Sequence, residues 1–236
     1  MPIEFDPEGS VMGRRVSCLV VLAVFITGAL VSGGCGDSGN SGEEADGKPA
    51  ATTPATTPEA ESQLGPDGQP VKALADFPNG QDGADVEAVI RTDKGEIVLQ
   101  FNPDAAPVTV ASFIELARSG YYNGITFHRV EPGFVIQGGD PKSRDPNATD
   151  VGTGGPGYFL PTEFNDIPHE AGTLSMARSQ SPNSGGSQFF ICLGPQPSLD
   201  GQYTVFGQTV SGMEVVNAIV PGDVIQEVII RPKSGS

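Results

Sequence analysis

The stretch FHRVEPGFVIQGGD, residues 127–140, is the part of this chain from which its fold is best deduced. Two short apolar runs flank a Pro-Gly pair, which is a turn signal between strands. Arg129 stands at the end of the first run, next to His128. An arginine after a strand is usually a surface charge, whereas one held beside apolar side chains can serve in catalysis. The surrounding sequence must distinguish these two roles.

Short strands and two helices surround this stretch. Strands are predicted at VEAVIRT, EIVLQF, ITFHRV, FVIQGG, TLSMA, SQFFICL, YTVFG and VIQEVIIRP. The run PVTVASFIELARSG, residues 107–120, predicts a helix, because proline stands near its start and glycine closes it. A shorter helix is predicted at GMEVVNAIV, residues 212–220. Many short strands without a repeat or βαβ alternation favour a mainly β fold, a closed barrel with helical plugs.

Composition excludes several classes of function. The 236 residues carry a formal net charge of −16, which argues against nucleic acid bound through a basic face. The three cysteines, Cys18, Cys35 and Cys192, form no CxxC pair or Cys/His cluster, so a structural zinc site is not expected. Nothing in the sequence demands a metal, a cofactor or an oligomer, and a monomer is expected.

Residues 1–35 have the pattern of an export signal. The basic MGRR is followed by an apolar run, residues 16–31, which is short for a membrane span and suits a signal peptide. Small residues before Cys35 are similar to a bacterial lipobox, although Ser32 replaces the usual aliphatic residue. The pattern predicts an exported lipoprotein, lipidated at Cys35 and anchored to a membrane, facing the periplasm or cell exterior. A retained anchor and an ordinary cleaved signal remain alternatives.

The rest of the chain divides by composition into a linker and a domain. Residues 36–85 are rich in Gly, Ser, Thr, Pro and acids, and they have few large apolar residues. Such a segment buries too little surface to offset its ordering entropy, so a disordered, extended tether is predicted. Residues 86–232 contain the predicted strands and helices and are long enough for a single core.

Common catalytic patterns are weakly represented. Two histidines, His128 and His169, permit a Ser-His-Asp triad on inventory alone, but no G-x-S-x-G motif accompanies them. The glycine-rich run at 152–157 lacks the residues of a phosphate-binding loop. Glu163 and Asp166 lie in a Pro-rich turn and are expected in a solvated loop rather than as an acid/base pair. His128 is expected to be structural. Cys192 alternates with apolar neighbours and is expected to be buried.

The order of five motifs is more specific than any of these patterns. FHRVEPGFVIQGGD, GTGGPGY, LSMAR, GSQFFIC and LDGQYTVFG follow one another along the chain. In this order they resemble the cyclophilins, a class of peptidyl-prolyl cis-trans isomerases, over nearly all of residues 86–232. The resemblance implies a closed eight-stranded antiparallel β-barrel capped by two α-helices. It also implies a substrate groove on the outer face of the barrel.

The resemblance also implies a set of site residues. The family's catalytic arginine corresponds to Arg129. The substrate-binding positions correspond to Phe134, Val135, Gln137, Ala177, Arg178, Ser179, Gln188, Phe190, Leu199 and Tyr203. This chain departs from common members at Val135, where methionine is frequent, and at Arg178, where eukaryotic members often have asparagine. Ser198 and Tyr203 stand where many members have tryptophan and histidine, and these two changes resemble those of many bacterial members.

The function implied is isomerisation of X-Pro bonds in exported proteins, without a covalent intermediate. The expected partners are proline-containing unfolded or flexible polypeptides, and a membrane through the lipid anchor. One alternative is a module that binds proline segments, or a holdase, with little turnover. A passive envelope protein is a third possibility, against which the intact set of Arg129, Phe134, Gln137 and Phe190 argues.

Overall fold

The computed structural model describes residues 64–65 and 68–233. Its strands are β1 Val86–Thr92, β2 Gly95–Phe101, β3 Arg129–Glu131, β4 Val135–Gly138, β5 Thr173–Met176, β6 Phe189–Cys192, β7 Val205–Ser211 and β8 Glu227–Pro232. The helices are α1 Pro107–Arg118 and α2 Met213–Ala218. Each predicted strand and helix corresponds to one of these elements, although several bounds differ. The largest differences are at β3, which covers only the end of ITFHRV, and at β7, which continues beyond YTVFG.

All eight strands belong to one antiparallel sheet in the order β3-β4-β6-β5-β7-β2-β1-β8. The sheet curls into a half-barrel accompanied by the two helices, so the mainly β prediction is confirmed. The predicted complete closure is not confirmed, because β3 and β8 are not paired as strands. In the described part of the chain, one isolated bridge, Thr126 with Val224, joins the segments that precede them. The bridge is antiparallel, and β3 and β8 each begin three residues after it, at Arg129 and Glu227, so the two strands run apart from the bridge in opposite directions.

Alternation along the strands separates two apolar faces. Ile136 in β4 and Ile191 in β6 join the main core, which also contains most of the buried face of α1. Their neighbours Val135 and Cys192 join a smaller cluster. Because successive side chains of a strand point to opposite faces, this cluster lies across the sheet from the main core. The second apolar face is where a groove can form outside the core.

Helix α1 packs one aromatic side chain deep into the main core. Phe113 is 1% exposed, and its ring centroid lies within 6 Å of four other aromatic rings: Phe101, Tyr122, Phe189 and Phe206. Tilted and edge-on pairs at these distances are favourable beyond the area they bury. The helix therefore fixes the sheet from the side opposite the smaller cluster.

The first turn of α1 is capped by a distant carboxylate. Glu163 accepts hydrogen bonds from the backbone nitrogens of Val108 and Thr109, at 2.9 and 2.8 Å. These N–H groups have no partner within the helix, and negative charge is favourable at a helix N-terminus. Glu163 is thus a helix cap, which accounts for it without an acid/base role. The sequence prediction placed it in a solvated loop, because its partners lie far away along the chain.

Packed structure begins before the predicted start of the domain. We call residues 68–85 the strap. Its residue Phe77 is 1% exposed and lies against Tyr158, with ring centroids 5.5 Å apart. The amino group of Lys72 lies 4.3 Å from the centre of the same tyrosine ring. The strap therefore contributes an anchor to the main core.

Backbone contacts also hold the strap in place. Val71 forms a β-bridge with Phe159, and Gly80 lies so close to Ala111 of α1 that a Cβ would be 2.0 Å from its carbonyl oxygen. The sequence prediction of disorder extended through residue 85 and differs from this arrangement. Few apolar residues occur here, too few for a core of their own, but they suffice to dock on a core that other residues build.

The predicted signal, Cys18, Cys35 and the linker up to residue 63 lie outside the described residues. Among residues 64–65 and 68–233, none of the helices is long and apolar enough to cross a membrane.

Candidate active site

Strand register brings the motif residues into one row. Arg129 in β3 is paired with Gln137 in β4, and Gln137 is paired with Phe190 in β6. Directly opposed residues of antiparallel strands place their side chains on the same face. A guanidinium, an amide and an aromatic ring therefore line up across three strands. Residues separated by about sixty positions in the sequence become neighbours through this register alone.

The Pro-Gly turn places Phe134 beside the arginine. The backbone nitrogen of Phe134 donates to the carbonyl of Glu131 at 2.9 Å, and Gly133 between them has a φ of 73°. Proline followed by a residue with positive φ is the pattern of a type II turn, which favours glycine there. The Arg129 guanidinium carbon lies 5.6 Å from the centre of the Phe134 ring.

These residues line an open groove with a volume of about 130 Å³. Nine of the eleven predicted site residues line it, namely Arg129, Phe134, Val135, Gln137, Ala177, Arg178, Phe190, Leu199 and Tyr203. Its floor is apolar, because it consists of the side chains of Val135 and Phe190, which pack against the buried Cys192. Val135 and Phe190 are 2% and 4% exposed. The groove lies on the face of the sheet opposite the main core. It is wide enough for a small apolar ring.

Arg129 stands at the edge of the groove and is accessible to a ligand. Its side chain is 44% exposed, and one guanidinium nitrogen, Nη1, lies 3.4 Å from Gln137 Oε1. Glu131, whose carboxylate lies 3.7 Å from Arg129 Nε, is more exposed still. None of the residues that line the groove is acidic. A guanidinium is charged at any working pH, so it can donate a hydrogen bond to a group seated in the groove.

Gln188 and Ser179 do not line the groove. Gln188 lies behind Gln137 and accepts a hydrogen bond from its Nε2 at 3.1 Å. Ser179 is exposed, and its hydroxyl bonds to Ser184 within the following loop. Gln188 is therefore one step removed from a ligand, and Ser179 belongs to a neighbouring loop.

Arg178 and Tyr203 form the wall opposite Arg129. The Arg178 guanidinium carbon lies 4.8 Å from the Tyr203 ring centre and 5.4 Å from that of Phe164. Its Nε also donates to the carbonyl of Gln202 at 3.0 Å. Stacking and hydrogen bonding together hold this side chain in place. Arg178 and Tyr203, two positions at which this chain departs from common family members, thus form one ordered wall of the groove.

A Ser-His-Asp cluster lies beneath the floor, but it is closed to substrate. His169 Nδ1 lies 2.9 Å from Asp200, and His169 Nε2 lies 3.2 Å from Ser175 Oγ. Ser175 is fully buried, and its hydroxyl donates to the carbonyl of Thr204 at 3.0 Å. A buried hydroxyl bonded in this way is not a nucleophile for an external ligand. The His169 ring stacks on Phe190, with centroids 5.9 Å apart, so the cluster supports the floor.

Sequence reasoning missed this supporting role of His169 and Asp200. Residues 169, 175 and 200 meet only through the folded sheet, and their spacing carries no signal of its own. Burial also raises the pKa of the Cys192 thiol to about 12, which keeps it neutral and unreactive. Ser175 and Cys192 are thus closed to an external ligand, and the apolar floor of the groove is suited to binding.

Comparisons with known proteins agree with this geometry. Residues 88–233 match the family model of the cyclophilin type peptidyl-prolyl cis-trans isomerase/CLD. A peptidyl-prolyl cis-trans isomerase of Synechococcus elongatus is 53% identical over 146 residues, which are 61% of this chain and 95% of that protein. Peptidyl-prolyl cis-trans isomerase B of Bacillus subtilis is 51% identical over 141 residues, 59% of this chain and 93% of the relative.

Solved structures show the same fold. A crystal structure of a cyclophilin type peptidyl-prolyl cis-trans isomerase from Cryptosporidium parvum superposes with a TM-score of 0.56 at 29% identity, covering 63% of this chain and 98% of that one. A second crystal structure of that protein, determined in the presence of the dipeptide Ala-Pro, gives a TM-score of 0.53 at 31% identity. The family model covers more than half of this chain and contains the whole row from Arg129 to Phe190. The chain therefore belongs to the cyclophilin-type peptidyl-prolyl cis-trans isomerases.

Proposed function

We propose that the groove catalyses rotation about X-Pro bonds of exported polypeptides, with Arg129 stabilising the twisted prolyl amide. The observation that carries this proposal is the row of Arg129, Gln137 and Phe190 across three paired strands. It puts a permanent positive charge beside an apolar hollow. The remaining steps follow from the chemistry of the amide.

Rotation about a prolyl amide requires no bond to break. It loses amide resonance and meets a barrier of about 18–20 kcal/mol. Without a catalyst, the exchange takes tens of seconds or longer. An enzyme needs only to bind the twisted state more tightly than either planar state. A site without a nucleophile, such as this groove, meets that requirement.

Arg129 is suited to the twisted state in particular. When resonance is lost, the proline nitrogen becomes pyramidal and regains a lone pair, to which a guanidinium can donate. A charge-assisted hydrogen bond in a partly dry groove is stronger than the same bond in water. Stabilisation of the twisted amide by about 5–7 kcal/mol would accelerate exchange by four to five decades.

The groove floor would hold the proline ring while the preceding residue turns. Phe134, Val135, Phe190 and Leu199 form an apolar seat for that ring. The amide of Gln137, which can both donate and accept, would keep the peptide backbone in register. One end of the peptide is thereby fixed, and the other is free to rotate.

Barrel closure supports the position of Arg129. Four backbone hydrogen bonds of 2.8–2.9 Å link residues 124, 125 and 127 to residues 222, 223 and 225. We infer that these bonds close the half-barrel next to β3. Closure would restrain the strand from which the Arg129 side chain extends.

The cellular setting is proposed from the sequence of residues 1–35. An apolar signal and Cys35 after small residues fit an exported lipoprotein, which would present the domain on the outer side of a membrane through its linker. Clients would be unfolded or flexible chains that emerge there. Mass spectrometry of the mature N-terminus should find an acylated Cys35, and an unmodified residue there would overturn this part of the proposal.

Refolding of a protein limited by proline isomerisation tests the catalytic role. The full chain should accelerate the slow phase, and Arg129→Ala should lower kcat/KM about 100-fold, as loss of a transition-state donor does. Arg91→Ala is the matched control, because Arg91 is also about half exposed (45%) and lies in β1. The control should retain full activity. Acceleration that survives in Arg129→Ala would refute the role of this arginine.

A further inference from the structure

We propose that Asp140 is a positioning residue for Arg129, although it touches neither the groove nor the arginine. Asp140 follows β4 and is completely buried. The inference rests on the proposed role of Arg129. The connection runs through a loop segment, residues 152–154, and then through the amides of Gln188 and Gln137.

The Asp140 carboxylate organises the loop segment by accepting backbone hydrogen bonds. Oδ1 accepts from Lys142 at 2.8 Å, and Oδ2 accepts from Gly152 and, at 3.1 Å, from Gly154. A buried carboxylate is tolerated only where such donors replace water. Three backbone amides from two parts of the loop are thus drawn to one side chain. The loop cannot move away without leaving a buried charge unsatisfied.

Close packing confirms that the loop rests on this carboxylate. A Cβ on Gly154 would lie 2.1 Å from Asp140 Oδ1. Gly139, with a φ of 92°, lies so near Ser187 that a Cβ there would be 2.2 Å from the Ser187 carbonyl oxygen. The Asp140 carboxylate therefore packs against the loop, and the preceding residue, Gly139, packs against Ser187, which precedes Gln188.

The positioned loop fixes which way the Gln188 amide points. The carbonyl oxygens of Gly152 and Gly154 each accept a hydrogen bond from Gln188 Nε2, both at 2.9 Å. Two acceptors on one side require the NH₂ end of the amide there. Gln188 Oε1 must then face the other way, where it accepts from Gln137 Nε2 at 3.1 Å.

The orientation of the Gln188 amide also fixes the orientation of the Gln137 amide, which faces Arg129. With its Nε2 engaged by Gln188, Gln137 presents Oε1 to Arg129, 3.4 Å from Nη1. If both amides flipped, an NH₂ group would face the guanidinium, and donor would oppose donor. Arg129 would then be displaced from the groove. The orientation of the solvent-accessible Arg129 is thus set by the buried Asp140 carboxylate, four hydrogen-bonded links away.

The test replaces the carboxylate by an amide of the same shape. Asp140→Asn cannot accept all three backbone hydrogen bonds, so kcat/KM for a proline tetrapeptide should fall by about 5- to 20-fold, as expected when a catalytic group loses its alignment. The matched control is Asp145→Asn, in the same loop, where Oδ1 accepts from Asn147 N at 2.9 Å outside the relay. The control should retain wild-type kcat/KM.

A spectroscopic readout separates positioning from a general loss of structure. In Asp140→Asn, the side-chain amide NMR signals of Gln137 and Gln188 should shift, while those of the control should not. Folded Asp140→Asn with wild-type kcat/KM, or with unshifted glutamine signals, would overturn the inference. If Asp140→Asn does not fold, Gly154→Ala, which pushes the loop off the carboxylate, carries the same expectations.

Arg129→Ala distinguishes failure of the proposed catalytic role of Arg129 from failure of the positioning role of Asp140. If that variant remains active, the proposed role of Arg129 fails. If it loses activity while Asp140→Asn retains both its activity and its glutamine signals, only the positioning role fails.

Discussion

Truncation of the strap residue Phe77 should destabilise the domain, although Phe77 lies eleven residues before the start of the family model. Phe77→Ala is the perturbation. The Phe77 side chain is 1% exposed, lies 5.5 Å from the Tyr158 ring and belongs to the main core cluster. The family model begins at residue 88 and therefore does not include it. If the strap were a passive end of the linker, the substitution would have no effect.

The expected magnitude follows from burial and from the strap's position. Truncation of a fully buried phenylalanine to alanine costs about 3–5 kcal/mol in a rigid core. The strap lies at the periphery of the domain, and truncation of a side chain in such a segment costs no more than the free energy with which the segment docks. We therefore expect a loss of about 2–3 kcal/mol in the free energy of unfolding, below the range for a rigid core. For a domain of this size, this loss corresponds to a decrease in Tm of about 4–12 °C.

Thermal and urea unfolding of the purified protein measure this loss. The control is Val210→Ala, since Val210 is also apolar but 48% exposed, and this change should alter stability by less than about 1 kcal/mol. None of the described residues before Val86 lines the groove, so kcat/KM of Phe77→Ala should equal that of the wild type where the protein is folded. An unchanged Tm for Phe77→Ala would refute the account of the strap.

Three further predictions concern Cys192, His128 and Glu163. Because burial raises the pKa of Cys192 to about 12, this thiol should not react with alkylating reagents at pH 8 in the native state, and should react once the chain is unfolded. Burial lowers the pKa of His128 below its usual 6.5, so the unfolded chain binds the proton more readily than the folded protein does. The free energy of unfolding should therefore decline as pH falls through 6.5. Urea titrations at pH 5 and 7 should show a smaller decline for His128→Gln than for the wild type. Glu163→Gln should lower the free energy of unfolding by about 1 kcal/mol without changing kcat/KM, whereas an acid/base role would reduce kcat/KM.

Much of the groove could be predicted from the sequence, because its residues lie in short strands with strong motifs. The alternation of Val135 with Ile136, and of Phe190 with Ile191, already assigns them to opposite faces of their strands. The order of motifs then placed Arg129 among the site residues, where the structure also puts it beside an apolar floor.

Other features depend on contacts between distant segments and could not be predicted from local patterns. Phe77 stands in a stretch whose composition predicts disorder, and only docking on a surface built by other residues gives it a partner. Asp140 ends a motif in a loop rich in glycine, where a carboxylate is usually solvated. Its burial follows from the return of residues 152–154, which no local pattern indicates. Complete strand closure is not confirmed for a similar reason, since it depends on where β3 and β8 begin relative to the bridge between Thr126 and Val224.

Exchange of a bound peptide between its cis and trans forms tests the central claim most directly. NMR exchange spectroscopy on a proline peptide, with the enzyme in catalytic amounts, reports turnover, and chemical-shift changes of Phe190 and Leu199 report binding. The account predicts rapid exchange with the wild type, and binding with exchange about 100-fold slower in Arg129→Ala. Binding without exchange in the wild type would instead identify a proline-binding module, and undiminished exchange in Arg129→Ala would contradict the role of this guanidinium.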